Sequence, residues 1–121
     1  MTIAFPSAMA QPQVLDAREL QRWLEAGPPP LLVDVREPAE LALATLAHDR
    51  HLPLSASQEW LPQLEQLLPR DRDLVIVCHA GMRSWNFACF LIERLGYDRV
   101  WNLTGGIDAW SCEVDPSVPR Y

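Results

Sequence analysis

Short apolar runs alternate along this chain with stripes of helical period, and that alternation predicts an α/β sandwich on a mainly parallel sheet. Leu31-Leu32-Val33-Asp34-Val35 and Leu74-Val75-Ile76-Val77 put apolar residues on both faces, as buried strands do. Arg99–Leu103 reads as a last strand, while Val14-Leu15 and His51-Leu52-Pro53-Leu54 read as short strands near a sheet edge, where proline is tolerated. Between them lie helical stripes. Asp16 with Glu19 opens one as a capping box; Leu20, Trp23 and Leu24 form its apolar face, and Gly27 with Pro28–Pro30 stops it. Pro38 suits the first turn of a short helix through Leu41 and Leu43. Trp60, Leu61, Leu64, Leu67 and Leu68 follow helical spacing, with Pro62 set to delay or kink the start. Ser84–Leu95 is apolar almost all round, the mark of a helix packed on several sides, and Gly96 closes it. Gly105-Gly106 turns into a short helix ending near Trp110, and Val114–Tyr121, with Pro116 and Pro119, is expected to run extended. Residues 1–13 carry no pattern and read as a loosely ordered N-terminal segment before one domain over 14–121.

One junction stands out chemically. The run Leu74–Val77 delivers Cys78 to the loop His79-Ala80-Gly81-Met82, and Arg83-Ser84 then opens the apolar helix. A cysteine between a buried strand and a helix N-terminus meets unpaired backbone N–H groups and the positive end of the helix dipole. Those favour an anion there, so the expected species is a nucleophilic thiolate. In open parallel sheets the site lies beyond the strands' carboxyl ends, where Cys78 belongs.

Composition narrows the partners. The chain has 121 residues, 49% hydrophobic and 21% charged, with a net charge of −6 and no lysine. That suits one globular domain and disfavours nucleic acid or anionic membranes as partners. No signal-like segment opens the chain, and no apolar stretch is long enough for a bilayer. Cys78, Cys89 and Cys112 form an odd set without CxxC spacing, which argues against a disulfide framework or zinc ribbon. A reducing, cytoplasmic setting is expected.

Three segments in this order resemble the rhodanese (sulfurtransferase) family: Val33-Asp34-Val35-Arg36-Glu37, Cys78–Ser84, and Asn102-Leu103-Thr104-Gly105-Gly106-Ile107-Asp108-Ala109-Trp110. The resemblance covers Val14 to Tyr121, and the ending Val114–Tyr121 is similar to the close of rhodanese domains fused to enzymes that adenylate sulfur-carrier proteins. It implies a rhodanese-like α/β fold, a five-stranded sheet with helices on both faces, and a Cys78 that carries a persulfide. The loop would cradle the outer sulfur with backbone N–H groups, His79, Ala80, Gly81, Met82 and Ser84 forming the binding surface beside Cys78 and Arg83. Related phosphatases place one more residue between cysteine and arginine, widening the cradle to fit phosphate; the four here match the sulfur-handling version. The implied activity is of the thiosulfate:cyanide sulfurtransferase type, moving a sulfane sulfur from thiosulfate or a persulfide donor, without cofactor or metal, to a thiophilic acceptor. A cysteine desulfurase or a sulfur-carrier protein would be the protein partner. A relay module that holds the persulfide for such a partner is the alternative, and a phosphatase or arsenate reductase the more distant one. The chain departs from the family pattern at Leu46–Leu54, which lacks the usual Gly-His pair, and its loop lacks the extra basic residue of thiosulfate users.

Each singled-out residue also has a structural reading. Arg83 either closes the loop through carbonyls or carboxylates or attracts anionic donors. Asp34 and Arg36, flanking a strand end, favour structural hydrogen bonding over catalysis. His79 either tunes Cys78, meets substrate or points to water. Gly105 and Gly106 relieve backbone crowding beside the loop. Trp85 is a candidate to line the pocket. Cys89 reads as a small core residue rather than a resolving thiol, Cys112 as a partly exposed bystander, and His48 with His51 lacks further ligands for a metal.

Overall fold

The computed structural model describes residues 11–121. Most of the segment expected to be loosely ordered, residues 1–10, lies outside the described residues. Five strands form one sheet: β1 (Gln13–Leu15), β2 (Leu31–Asp34), β3 (Arg50–His51), β4 (Leu74–Val77) and β5 (Val100–Leu103). Their order is β1-β5-β4-β2-β3, and every pairing is parallel rather than mainly so. Parallel neighbours need crossovers, which the helical stripes supply: α1 (Ala17–Ala26), α2 (Pro38–Leu43), α3 (Ser57–Trp60), α4 (Leu64–Leu67), α5 (Met82–Leu95) and α6 (Gly106–Glu113).

Strand alternation divides the core into two layers. Leu31, Val33, Leu74, Ile76 and Val100 pack with Trp60, Leu64, Phe87 and Leu91 on one face; Leu15, Leu32, Val75, Val77 and Leu103 pack with Leu20, Ile107 and Trp110 on the other. Helices thus cover both faces. Leu20, Val33, Val75, Ile76, Leu91 and Leu103 have no exposed surface, and removing each from water contributes about 1.5–3 kcal/mol.

Local chemistry sets the ends. Glu19 N–H donates to Asp16 Oδ1 at 2.8 Å and Asp16 N–H to Glu19 Oε1 at 2.9 Å, which closes the capping box of α1. Pro62 has no N–H to give to the preceding turn, so the stripe from Trp60 breaks into α3, a 3₁₀ turn (Leu61–Gln63) and α4. The helix expected from Ser84 begins two residues earlier, at Met82, because Gly81 takes φ +104° and turns the chain directly into it. The tail departs from the extended path expected of it. Asp115 opens a turn that Pro116 favours; Val118 N–H donates to Asp115 O at 3.0 Å, and Val118 enters the core. The strand ends β2, β4 and β5 deliver Asp34–Arg36, Cys78 and Thr104–Gly106 to one edge of the sheet.

Candidate active site

Cys78 lies at the floor of this edge, 1% exposed. Its sulfur accepts Gly81 N–H at 3.1 Å and Ser84 N–H at 3.3 Å, and lies 3.2 Å from Ser84 Oγ. Two main-chain donors at the start of a 14-residue helix converge on one sulfur atom, an arrangement that stabilises negative charge without side-chain cations. Met82, 72% exposed, and the exposed Ala80 form the outer rim, with Trp85 half-buried beside them.

The loop holds this shape because its carbonyls are claimed from behind. Ile107 N–H donates to Cys78 O at 2.9 Å and Asp108 N–H to His79 O at 3.0 Å, so the first turn of α6 turns the loop's acceptors away from the sulfur. Gly106 makes that approach feasible: a Cβ there would sit 2.4 Å from Cys78 O and 2.5 Å from His79 O. Gly105 precedes it as the N-cap of α6. Asn102 ties the loop from below, donating through Nδ2 to Gly81 O at 3.1 Å and accepting from Ser84 Oγ at 2.5 Å.

Arg83 takes the first of its two expected jobs. Its guanidinium grips Glu40 of α2 with Nη1–Oε1 at 2.7 Å and Nη2–Oε2 at 2.8 Å, a bidentate pair that ties α5 to α2. Glu40 also accepts from Glu37 N–H at 3.0 Å and from the Tyr121 hydroxyl at 2.8 Å. Arg83, with Glu37 N–H and Tyr121 adding, outweighs burial and lowers Glu40 from 4.5 to about 2; Glu40 in turn raises Arg83. A depressed carboxylate contributes stability that is fully present above about pH 4.5 and lost as pH falls toward 2. Thermal midpoints of the wild type and Glu40→Gln are therefore expected to differ by a constant amount above pH 4.5 and to converge below it. A difference that persists undiminished at low pH would assign the effect to packing instead.

Asp34 and Arg36 form a buried pair beneath this network, 1% and 0% exposed. Arg36 Nη2 and Nε donate to Asp34 at 2.9 and 3.1 Å, and Arg36 Nη1 donates to the Tyr121 hydroxyl at 3.0 Å. Tyr121 also packs its ring against His79, with centroids 4.2 Å apart. His79 thus packs on the tail, half-buried, and its Nδ1 is buried with no partner among the described residues. The tail is held by Arg120 on Asp108 (2.9 and 3.2 Å) and by the Ser111 hydroxyl on Val118 O.

Cys89 is half-buried on α5, and burial, aided by Glu93, pushes its thiol up, away from nucleophilic character; Cys112 is exposed. His48 Nδ1 meets Leu46 O at 2.9 Å and His51 Nε2 meets Arg36 O at 2.7 Å, so the departing segment serves backbone bonding. An apolar hollow of about 260 Å³ lined by Leu61, Leu64, Phe90 and Leu95 shares no residue with the Cys78 loop. Sequence reasoning missed Glu40, Tyr121 and the use of Asn102. Glu40 had a local signal, since Glu37 and Glu40 bracket Pro38 at capping-box spacing.

An all-parallel five-stranded sheet that presents a cysteine to a helix-capped loop defines the class, and comparison with known proteins names it. The family model of the rhodanese-like domain matches residues 16–113, and the chain belongs to that family. It is 40% identical over 90 residues to a chloroplastic rhodanese-like/PpiC domain-containing protein of Arabidopsis thaliana, covering 74% of this chain and 30% of that one. It is 38% identical over 104 residues to a sulfurtransferase of Allochromatium vinosum, covering 86% and 92%. An adenylyltransferase and sulfurtransferase of Zea mays is 32% identical over 123 residues, covering 98% and 26%. The chain therefore spans nearly all of one relative and less than a third of the other two. The crystal structure of a rhodanese-like domain protein from Staphylococcus aureus superposes with a TM-score of 0.71 at 26% identity, covering 90% of this chain and 98% of that one.

Proposed function

We propose that this protein is a sulfurtransferase in which Cys78 carries a persulfide. One observation supports the reading above others: two main-chain N–H groups meet the Cys78 sulfur within 3.3 Å, in a loop with four residues between Cys78 and Arg83. The Cys78 thiolate attacks the sulfane sulfur of a donor, forming the Cys78–S–S⁻ bond as the donor's S–S bond breaks and its electron pair leaves with the donor remnant. A thiophilic acceptor then takes the outer sulfur and leaves Cys78 as thiolate. Double displacement of this kind gives ping-pong kinetics. The sulfurtransferase from Allochromatium vinosum, matched over 92% of its length, supports sulfur transfer as the class of reaction.

A low-molecular or protein persulfide is the donor class we propose ahead of thiosulfate. Arg83, the loop's cation, is consumed by Glu40, and Arg36 is consumed by Asp34. Transfer to a sulfur-carrier protein is the context we propose, by analogy with the adenylyltransferase-linked relative, and the three free cysteines fit a reducing, cytoplasmic setting. Activity with a persulfide donor and a cyanide or thiol acceptor is expected to be ping-pong and absent in Cys78→Ser. An aryl phosphate is expected to go unhydrolysed. Hydrolysis of the phosphate, or transfer surviving in Cys78→Ser, would overturn the assignment.

A further inference from the structure

The hydroxyl of Ser84 carries one proton and has two neighbours for it, Cys78 Sγ at 3.2 Å and Asn102 Oδ1 at 2.5 Å. The far end of Asn102 decides between them. Its amide lies 3.1 Å from Gly81 O, which only accepts, so the NH₂ group must face Gly81 and the carbonyl oxygen must face Ser84. That oxygen also only accepts. Ser84 is 0% and Asn102 5% exposed, so water is a poor substitute for either partner. The Ser84 proton therefore goes to Asn102, and Ser84 turns a lone pair toward Cys78, where it serves as acceptor for an S–H.

From this geometry we infer that Asn102 is a positioning residue that, acting through Ser84, turns a hydroxyl lone pair toward Cys78, so that this hydroxyl favours the thiol and the persulfide over the bare thiolate. In the thiol, S–H donates to Ser84 Oγ and the chain of bonds is complete. In the persulfide the charge sits on the outer sulfur, Sγ carries no proton, and the Ser84–Asn102 bond is kept. Only the thiolate puts full charge on Sγ against a hydroxyl lone pair. The hydroxyl can turn to meet it, but then Asn102 Oδ1 is left buried without a donor. Gly81 N–H and Ser84 N–H act on Sγ in every state and most strongly on the thiolate, so the Ser84 hydroxyl works against them there. When an anionic nucleophile removes the outer sulfur, the electron pair of the broken S–S bond stays on Sγ. A proton from water then restores the S–H bond to Ser84. The persulfide half of this account rests on the proposed sulfur transfer, whereas the thiol half does not.

The charged and titratable groups around Cys78 are His79 in the loop, Arg83 of α5, Glu40 of α2, Asp108 of α6, Asp34 and Arg36 after β2, and Arg120 and Tyr121 of the tail. None of them bonds Ser84 or Asn102, so substitutions at 84 test the hydroxyl, whereas Asn102→Ala also removes the bond to Gly81 O and is read only together with them.

The experiment is the pH dependence of Cys78 alkylation by iodoacetamide in the full chain, with Cys89 and Cys112 replaced by serine and no sulfur donor present. Ser84→Ala removes the acceptor of the S–H, so its alkylation midpoint is expected about one unit lower, with roughly tenfold more thiolate at a given pH below it. Ser84→Thr keeps the hydroxyl and is expected to restore the wild-type midpoint. Asn102→Ala frees the Ser84 proton for the thiolate and is expected to lower the midpoint as well, the effect vanishing when Ser84 is already alanine. Single-turnover release of sulfur from loaded Ser84→Ala to cyanide should be correspondingly faster. A midpoint that rises in Ser84→Ala would mean that Ser84 donates to the thiolate, one that stays put that the hydroxyl favours neither state, and either would overturn the inference even if Asn102→Ala failed to fold. Because alkylation needs no donor, its outcome is independent of whether a persulfide forms.

Discussion

Asp34→Ala is expected to destabilise the fold by about 3–5 kcal/mol, the range for removing one member of a buried ion pair. Arg36 would keep its charge at 0% exposure with the two oxygens that receive its Nε, Nη2 and backbone N–H gone. Burial by itself disfavours the Arg36 cation, and only the bonds to Asp34 and Tyr121 reverse that and raise it. A domain of this size has a stability of order 5–15 kcal/mol, so a large fraction would be lost. Urea unfolding followed by tryptophan fluorescence reads it. Replacing both partners by apolar residues of similar volume should recover much of the loss, because the cost lies in the orphaned charge. If Asp34→Ala unfolded within 1 kcal/mol of the wild type, solvent would have to reach Arg36, against the geometry described here.

Gly106→Ala should damage the site more than any substitution outside it. The new Cβ would stand 2.4 Å from Cys78 O and 2.5 Å from His79 O, both backbone atoms held by the N–H groups of Ile107 and Asp108. Neither carbonyl can retreat without breaking its bond to α6. The residue also has φ +59°, which costs a side chain roughly 1–3 kcal/mol. The loop must shift, and with it the N–H groups of Gly81 and Ser84 that meet the sulfur. A displacement near 1 Å costs on the order of 100-fold in rate. We therefore expect kcat/KM for sulfur transfer to fall by about that factor, with a lowered thermal midpoint. Thr104→Ala, two residues away but exposed, serves as the control and should change neither. A Gly106→Ala variant with unchanged kcat/KM would show that the loop carbonyls do not fix the sulfur's donors.

What could be read from the sequence was local. The run Leu74–Val77 and the all-round apolar stretch to Leu95 mark strand and helix by their own residues, and together they place Cys78 at a helix N-terminus. The capping box at Asp16 and Glu19 and the break at Pro62 are local too. The partners of the site are not. Arg83 meets Glu40 across 43 positions, Arg36 meets Tyr121 across 85, and Ser84 meets Asn102 across 18. Those meetings depend on the strand order, which sets β2 and β5 on either side of β4 and brings three loops to one edge. The sequence around Arg83 is compatible with two jobs because nothing local distinguishes a carboxylate 43 residues back from any other. The tail departs from its expected path for a different reason. Pro116 and Pro119 argue against helix, but Asp115 before Pro116 favours a turn, and that turn carries Tyr121 to Arg36 and Glu40.

The central claim, that Cys78 holds a transferable sulfur atom, is tested most directly by intact-mass spectrometry after incubation with a persulfide donor, such as one generated by a cysteine desulfurase, followed by peptide mapping. The account predicts a one-sulfur adduct confined to Cys78, removed by cyanide and absent from Cys78→Ser. No adduct at Cys78 under those conditions, or an adduct at Cys89 or Cys112 that survives the substitution, would contradict it.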